Sequence, residues 1–591
     1  MAITMAAAVI AAPATALNDV EFAFSDLDRD LGEALEAASL LAAAARDGLT
    51  DPLEVFPIAR SEYGRLIGVL YDAGHYAPVI RVLVDGREAA DITPLDPPSE
   101  IDRIRVEIEP GPQFTFGRAE VTPLAPDTEL PEGFRPGAPA RSTAVRDAAR
   151  SAVEDWRSQG HAKAEATDQD IVADHASTQL DAQIMLRPGP RLRFGALTPS
   201  GNERTRPGRI VKIAGLPEGE VFSPEEVARA ANRLRRTGTF ASVAIREADE
   251  PNPDGTLDFA ANVVEAPLRR IGFGAEYDTE SGVRLTAFWL HRNLFKGAER
   301  FRIEGMVGGL AARAGGVDYR LAIDLTRPAS LTPDTSLSFG TVLESVDERD
   351  QQAERFTLRL GFDHIFSDTL TGSAGLNYQF ERARFGPQRS IRQNFGTLGL
   401  PLGLTWDRRD DTLNATEGFY LSGTVTPYLG LGSTDSGLQA RLDARYYQGF
   451  GAENRVVAAV RGQIGSLIGA EIAASPRSLL FYSGGGGTVR GQPYQSLGVT
   501  TNGVVSGGRG FAAAAAELRG QITQNISIVG FADAGLVSEG SFGGSSDWHA
   551  GAGLGLRYAT AVGPIRLDVG LPVHGSTGSG AQIYLGIGQA F

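Results

Sequence analysis

The feature of this sequence that most restricts its fold is a period-two alternation of apolar and charged residues in the part of the chain after Pro267. Successive side chains of a strand point to opposite faces, so such a segment folds as a strand with one apolar and one charged face. The clearest segment places Leu438, Ala440, Leu442, Ala444 and Tyr446 on one face, and Gln439, Arg441, Asp443 and Arg445 on the other.

Similar runs recur throughout 268–591, and none of them has the periodicity of a convincing helix. A strand and its connection take roughly 20 residues, so this length corresponds to about 16 strands. A closed, even-numbered barrel can turn its apolar face to lipid and its charged face to a wet lumen. A soluble β-sandwich would show the same alternation and is the alternative. The sequence therefore predicts a 16-stranded antiparallel transmembrane β-barrel over 268–591.

The composition and the absence of known motifs argue against several classes of function. The chain has no cysteine, which excludes disulfides, cysteine-ligated zinc, iron–sulfur clusters and thiol nucleophiles. Its net charge of −16 at pH 7 argues against nucleic acid, which requires a basic face. The seven histidines have no metal-binding spacing, and no nucleotide-binding or hydrolase motif occurs. We expect no metal, no cofactor, no nucleic-acid partner and no enzymatic activity.

The first residues of the chain resemble a targeting segment. An apolar stretch leads to Ala14-Thr15-Ala16, a small-residue ending typical of signal-peptide cleavage, although a basic N-terminal region is missing. We predict a signal peptide over 1–16, with Leu17 as the first residue of the mature chain. A structured, alanine-rich helix is the alternative.

The chain before the alternating region contains a repeat. Pro112, Pro190 and Pro267, spaced by 78 and 77 residues, each separate a strand-like run from a new one. A glycine landmark at Gly74, Gly160 and Gly238 follows a helical pattern in each repeat. The sequence predicts three copies of one α+β module, over 17–112, 113–190 and 191–267.

The third copy has the clearest local signals. Ser223 followed by Pro224 combines a helix N-cap with a proline in the first turn, and this helix should extend to about Arg236. Gly238 then ends the helix, and Asp254-Gly255 forms the turn between two strands. The predicted order in each module is therefore strand, helix, helix, strand, strand (βααββ).

Several motifs of this chain resemble those of the Omp85 superfamily. The glycine-rich segment 484–491 resembles the VRG[FY] motif of that superfamily's sixth barrel loop, and 494–498 resembles the YQSLG stretch of its TamA (translocation and assembly module) branch. Segments 406–410, 416–418 and 531–535 match further barrel motifs. The resemblance implies three periplasmic POTRA modules in front of an outer-membrane barrel of a Gram-negative bacterium.

The motif Val489-Arg490-Gly491 is the most informative part of this resemblance. Without the resemblance, the local sequence predicts that Arg490 is a solvated side chain in a surface loop. The resemblance implies instead that loop six folds into the lumen, where Arg490 pairs with Glu517 and Asp533 on the barrel wall. A catalytic pair formed by these two carboxylates is a weak alternative.

One position departs from the family pattern. Gln492 stands where the superfamily usually has Phe or Tyr, so the aromatic packing expected there is in doubt unless Tyr494 replaces it.

The first and last strands of the predicted barrel pair with each other where the barrel closes, and their composition suggests that this seam is weak. Gly272 and Gly274 lie in the predicted first strand, Gly586 and Gly588 lie in the predicted last strand, and Phe591 resembles a C-terminal outer-membrane signal. Because glycine weakens a strand interior, we expect a seam that can open sideways. The alternative is that these glycines only relieve crowding at a curved wall.

The resemblance implies a TamA-like assembly factor that acts without enzyme chemistry. Its expected partners are an inner-membrane-anchored TamB-like protein, unfolded outer-membrane protein clients and the lipid bilayer. A BamA-like insertase and a two-partner secretion transporter are the alternatives within the superfamily, and the count of three modules disfavours both. A passive channel would share the barrel but needs neither the modules nor the loop motif.

Overall fold

The architecture was obtained as a computed structural model that describes residues 19–25, 28–279, 281–312, 315–348, 350–501, 503–560, 563–578 and 580–587. The predicted signal peptide, Gly588 and Phe591 lie outside these residues.

Module one contains a four-stranded sheet of order β1-β4-β2-β3, packed against helices. The helical segment that ends at Arg46 is divided at Ser39, whose hydroxyl accepts a hydrogen bond from the Ala42 N–H (3.0 Å) and caps a new helix. The elements are β1 (Asp19–Phe24), α1 (Arg29–Ala38), α2 (Leu40–Arg46), α3 (Pro52–Asp72), β2 (Val79–Val84), β3 (Arg87–Glu88) and β4 (Arg103–Glu109).

Module two departs from the predicted βααββ order because it has a single helix. Five prolines lie between Pro123 and Pro139, where the first helix was expected, and proline cannot supply the backbone donors of a helix interior. The sheet has the order β5-β7-β6. Its elements are β5 (Thr115–Thr122), α4 (Ser142–Ser158), β6 (Glu165–Asp174) and β7 (Gln179–Arg187).

Module three follows the predicted order. The helix expected after Ser223 spans Pro224–Arg236, and Gly238 follows it with a φ of 65°. Gly74 and Gly160 follow the last helices of modules one and two with φ of 89° and 103°, so all three landmarks adopt the backbone that favours glycine. The elements are β8 (Arg193–Ser200), α5 (Pro207–Ala214), α6 (Pro224–Arg236), β9 (Phe240–Glu247) and β10 (Thr256–Glu265), with sheet order β8-β10-β9.

The remaining strands form a closed antiparallel barrel, apart from one short hairpin (β23 and β24). They are β11 (Arg269–Asp278), β12 (Gly282–His291), β13 (Arg300–Leu310), β14 (Asp318–Arg327), β15 (Thr335–Asp347), β16 (Gln351–Ile365), β17 (Leu370–Phe385), β18 (Ile391–Gly399), β19 (Leu402–Asp407), β20 (Gly418–Leu431), β21 (Gly437–Phe450), β22 (Val456–Ile468), β23 (Val499–Thr501), β24 (Val504–Ser506), β25 (Gly510–Gln521), β26 (Ile526–Gly540), β27 (Gly543–Tyr558), β28 (Ile565–His574) and β29 (Gln582–Ile587).

The barrel has 16 strands, as predicted. β18 and β19 are two halves of one strand, because both pair with β17 on one side and β20 on the other. Pro401 lies between the halves and cannot donate to the ladder. The predicted faces also hold, since Leu442 and Tyr446 are exposed on the outside, whereas Asp443 binds Arg445 and Arg461 inside. No helix among the described residues is long and apolar enough to cross a membrane.

The chain divides into two compact units. One contains modules one and two together with Pro217–Val227 and Ala248–Asp258, and the other contains Leu197–Leu216, Ala228–Glu247 and the barrel. Within the second unit, Ile210 and Ile213 of module three share an apolar core with Ala329, which lies in the turn between β14 and β15.

An arginine clamp surrounds this shared core. The Arg233 guanidinium donates to both carboxylate oxygens of Asp334 (2.6 to 3.2 Å), and Arg236 donates to the same carboxylate at 2.7 Å. Arg209 donates to the carbonyl oxygen of Pro328 at 2.6 Å. Burial raises the pKa of Asp334, but the two arginines outweigh this effect and hold that pKa below its usual range.

The clamp should depend on the Asp334 charge. Removing one partner of a buried ion pair costs about 3–5 kcal/mol, and Asp334 is partly exposed, so we expect Asp334→Ala to loosen α5 and α6 by up to about 3 kcal/mol. Hydrogen exchange of the α5 and α6 amides measures this loss. The control is Asp324→Ala, which breaks a more exposed pair with Arg359 inside the barrel.

The contribution of Asp334 to the stability of α5 and α6 should decrease at acidic pH. A carboxylate with a lowered pKa contributes stability above its unfolded value of about 3.9, and this contribution disappears as the pH falls through the folded value. Protection of α5 and α6 should therefore persist at pH 5 and decline below about pH 4. Equal protection in Asp334→Ala and the parent protein would contradict the clamp.

Candidate functional site

The candidate site is built around loop six, the long connection 469–509 between β22 and β25. The next-longest connections at the same end of the barrel, such as 311–317 and 575–581, have about seven residues. Loop six folds inward, and Val489, Arg490 and Gln492 are each at most 2% exposed. The motif identified from the sequence therefore lies inside the barrel.

Arg490 binds the carboxylates on the wall. Its Nε and Nη2 donate to the two oxygens of Asp533 at 2.8 and 2.9 Å, and its backbone N–H donates to the same side chain at 3.0 Å. Nη1 donates to Glu517 at 2.5 Å and to Asp568 at 3.4 Å. The guanidinium also lies 3.7 Å from the ring centroid of Phe531. This planar, multidentate geometry is available to arginine and not to lysine.

Two further arginines complete the cluster. Arg519 donates to Glu517 at 2.9 Å, and Arg557 donates to Asp568. The cluster thus contains three guanidinium groups and three carboxylates, all buried. The carboxylates have no open face for a substrate, which argues against Glu517 and Asp533 as a catalytic pair. Sequence reasoning missed Asp568, although it occupies a lumen-facing position in the alternation of β28.

Glycines on the wall let the loop backbone approach closely. A Cβ atom at Gly551 would overlap the Arg490 carbonyl oxygen, and one at Gly570 would lie 2.6 Å from the Gly491 nitrogen. On the loop side, a Cβ at Gly491, whose φ is 89°, would lie 2.5 Å from the Leu571 carbonyl oxygen. Gly487, by contrast, has open space around it. The close approach therefore depends on glycines of both partners, not only on those of the loop.

Gln492 stands where an aromatic residue was expected, and its side chain makes hydrogen bonds there. Its amide nitrogen donates to the carbonyl oxygens of Ala550 (2.7 Å) and His574 (2.9 Å), and its oxygen accepts from Thr577 at 2.8 Å. Tyr494 does not take the aromatic's place, since it is 41% exposed. The ring beneath the motif is instead Phe531, supplied by the wall.

The loop also contacts the last described strand of the barrel. The Gly491 N–H donates to the Tyr584 hydroxyl at 3.1 Å, and that hydroxyl lies 3.4 Å from the Gln492 carbonyl oxygen. Tyr584 is 6% exposed and belongs to β29. Sequence reasoning did not single out Tyr584, because only the polar alternation of β29 marks it as lumen-facing.

β29 closes the barrel against β11 through a short seam. Among the described residues, the seam has two residue pairs, Tyr277 with Leu585 and Asp278 with Tyr584. The pairing between β11 and β12 has ten, and that between β28 and β29 has six. At the end of the seam, the Ile583 N–H donates to the Thr279 hydroxyl at 2.9 Å.

The seam glycines have different surroundings. A Cβ at Gly272 would overlap the ring of Phe288, and one at Gly586 would lie 3.3 Å from the Arg566 guanidinium. A Cβ at Gly274 would meet its nearest neighbour, Thr286, at 3.9 Å, which is an ordinary contact. Relief of crowding therefore accounts for Gly272.

Another sequence motif builds a turn between β19 and β20. Arg409 donates to both oxygens of Asp407 at 2.7 to 2.9 Å. The Asp410 carboxylate accepts from the backbone N–H groups of Thr416 (2.9 Å) and Glu417 (3.1 Å). This motif therefore has a structural part in closing the turn. The described residues contain no group of three or more His, Asp or Glu side chains arranged to hold a metal ion.

Arg490→Lys should release loop six. The variant keeps the charge but loses the bidentate contact with Asp533, and a hydrogen bond to a charged group is worth about 1.5–3 kcal/mol. We expect protease cleavage at 484–487 to rise at least tenfold. The control is Arg445→Lys, because Arg445 binds Asp443 in a more exposed part of the lumen. An unchanged cleavage rate in Arg490→Lys would show that the cluster does not hold the loop.

Comparisons with known proteins agree with this architecture. A truncated BamA from Haemophilus ducreyi, lacking POTRA domains 1–3, superposes with a TM-score of 0.64 at 18% identity, covering 80% of this chain and 100% of that one. CdiB from Acinetobacter baumannii superposes with a TM-score of 0.53 at 12% identity, covering 81% of this chain and 90% of that one. These likenesses concern the fold.

Family models match the sequence itself. A POTRA model, described as a surface antigen variable number repeat, matches residues 192–266, which correspond to module three. The Omp85 superfamily domain matches residues 293–591, just over half of the chain, including loop six and its binding wall. The protein therefore belongs to the Omp85 superfamily.

Proposed function

We propose that this protein is a TamA-like outer-membrane assembly factor that receives unfolded outer-membrane or autotransporter proteins and inserts or translocates them through the seam between β11 and β29. The modules would lie in the periplasm of a Gram-negative cell, and the process would need no enzyme chemistry. The observation that supports this proposal is that the described part of the seam has two residue pairs, whereas β11 pairs with β12 over ten residues and β28 with β29 over six.

The energetics of the seam support opening. A backbone hydrogen bond contributes about 1 kcal/mol net, so parting two residue pairs costs far less than parting ten. The described length of the seam is therefore the easiest place to open the wall. A client strand could then pair with the exposed edge of β11, since a free edge is a template for strand addition.

The lumen has space next to this seam. A cavity of about 1240 Å³ is lined by β11 to β17, on the side of the lumen that includes the first strand. Its lining includes Arg320, Glu344 and Arg355, whose side chains form ion pairs inside the lumen. Such a charged surface suits the polar face of an amphipathic strand of an outer-membrane client.

The modules offer an entry point for extended segments. β6 forms an edge of the sheet in module two, and all of its residues except Ala173 are exposed. Its outer backbone groups are available for a segment that adds as a further strand. By analogy with the TamA branch, an inner-membrane-anchored TamB-like protein would deliver clients to these modules.

The fold likenesses define the alternatives. BamA and CdiB have a similar fold, and an insertase or a two-partner secretion transporter would use the same seam. Crosslinking in cells, followed by identification of co-purified proteins, separates them. Recovery of a TamB-like protein supports the proposal, whereas recovery of a dedicated secreted substrate alone supports the transporter.

The seam itself can be locked by a disulfide, since the chain has no native cysteine. Tyr277 and Leu585 face each other across the seam, and facing residues of antiparallel strands have Cα atoms about 4.5–5.5 Å apart, within disulfide range. Oxidised Tyr277→Cys/Leu585→Cys should lose most of its client assembly in proteoliposomes, and reduction should restore it.

A matched bridge tests whether the block is specific to the seam. Leu442 and Ile464 face each other on the adjacent strands β21 and β22, and both are exposed on the outer surface. Oxidised Leu442→Cys/Ile464→Cys should assemble clients normally. If the oxidised seam variant is equally active, the barrel works without lateral opening.

The hydroxyl of Tyr584 should stabilise the closed seam. Tyr584→Phe removes the acceptor of the Gly491 N–H, and a lost hydrogen bond costs about 1 kcal/mol, or roughly a fivefold change in an opening equilibrium. We expect amide exchange at Leu585 to rise about fivefold. Tyr558→Phe is the control, since Tyr558 is exposed on the outer face of β27. Equal exchange in the two variants would exclude a role for the hydroxyl.

A further inference from the structure

A second cavity lies between loop six and a different part of the barrel wall. It has a volume of about 400 Å³ and is lined by loop residues such as Arg477 and Phe481 and by wall residues such as Arg441 and Gln463. None of the residues of the Arg490 cluster lines it. The residues of this cavity are therefore distinct from those that bind the VRG motif.

Arg477 brings a buried charge to this cavity. Its side chain is 3% exposed and stacks on Phe385, with the guanidinium 4.1 Å from the ring centroid. Its backbone N–H donates to Glu381 at 3.0 Å, but within the described ranges its guanidinium has no hydrogen-bond or ion-pair partner. A cation–π contact recovers only part of the hydration that a buried guanidinium loses.

Arg441 brings a second charge to the same cavity. Its guanidinium lies 5.0 Å from the ring centroid of Phe481, and it too has no hydrogen-bond or ion-pair partner among the residues that the structure describes. The neighbouring arginines of the wall differ in this respect, because Arg445 and Arg461 both bind Asp443. The two arginines at the cavity are thus exceptions to the pairing seen around them.

The other charged groups of the cavity already have partners. Arg355 binds Glu344 and Glu381 at 2.9 Å each. The Glu348 carboxylate accepts hydrogen bonds from Gln351 (2.6 Å) and Gln495 (3.1 Å). Glu348 is the one carboxylate among the described lining residues and its partners are neutral amides, so Arg441 and Arg477, which have no carboxylate partner, leave the lining with a net positive charge.

We propose that this cavity binds a phosphate-type oxyanion between Arg441 and Arg477. Two planar guanidinium groups suit the oxygens of a phosphate, and water could satisfy their hydrogen bonds but not their charge. Phosphate would join loop six to the wall, because Arg477 belongs to the loop and Arg441 to β21. The anion could be free phosphate or the phosphate of a lipid headgroup, since both present the same oxygens.

The test uses the full-length protein in a neutral detergent. Inorganic phosphate is titrated against it at constant ionic strength, with chloride as the competing salt, and binding is followed calorimetrically. We expect saturable binding of one phosphate per chain. Arg477→Gln and Arg441→Gln should each weaken it at least tenfold, whereas the control Arg461→Gln should leave it unchanged.

A second arm distinguishes the two sources of phosphate. Short-chain phosphatidic acid is added to the phosphate-saturated protein, and displacement of inorganic phosphate identifies the headgroup as a ligand, whereas no displacement identifies free phosphate. If Arg477→Gln does not fold, Arg441→Gln provides the decision, because Arg441 is exposed to the lumen. Absence of saturable binding, or equal binding in Arg441→Gln and the parent protein, overturns the proposal.

Discussion

The structure of the lumen depends on one interaction, the bidentate contact between Arg490 and Asp533. This contact is possible only because Gly551 and Gly570 leave the wall bare where the loop backbone lies against it. With Glu517 and Asp568 also bound, a long loop is held in a wet barrel by ordered charges that have little exposure to water. Docking of the loop in turn places Gly491 beside Tyr584, and so connects the charge cluster with the seam.

The two sides of the lumen differ in what they contact. Arg490 of loop six binds the wall formed by β25 to β28, whereas the large cavity lies along β11 to β17. The seam between β11 and β29 lies where these sides meet. A client entering the large cavity would therefore be next to the edge of β11 without first breaking the Arg490 cluster. The proposed function uses this geometry, and the Tyr584 contact would set how readily the edge becomes free.

Much of the fold follows from the sequence, because the alternation in segments such as 438–446 predicts strands with one apolar and one charged face, and glycine landmarks mark each module. The partners of Arg490 came from family motifs, since no local pattern connects residues 490 and 533. Asp568 and Tyr584 were missed because their contacts depend on how loop six lies against the wall. The missing helix of module two could have been anticipated from its five prolines, whereas the crowding at Gly272 depends on a neighbouring ring, Phe288, which only the strand register reveals.

The central claim is that docking of loop six and closure of the seam are energetically coupled. A double-mutant cycle of Arg490→Lys and Tyr584→Phe, read by amide exchange at Leu585, measures that coupling directly. Residues that act through one network show interaction energies of about 0.5–3 kcal/mol, whereas independent sites add within about 0.5 kcal/mol. The account predicts that Tyr584→Phe has little further effect once Arg490→Lys has released the loop. Fully additive effects of the two substitutions would contradict it.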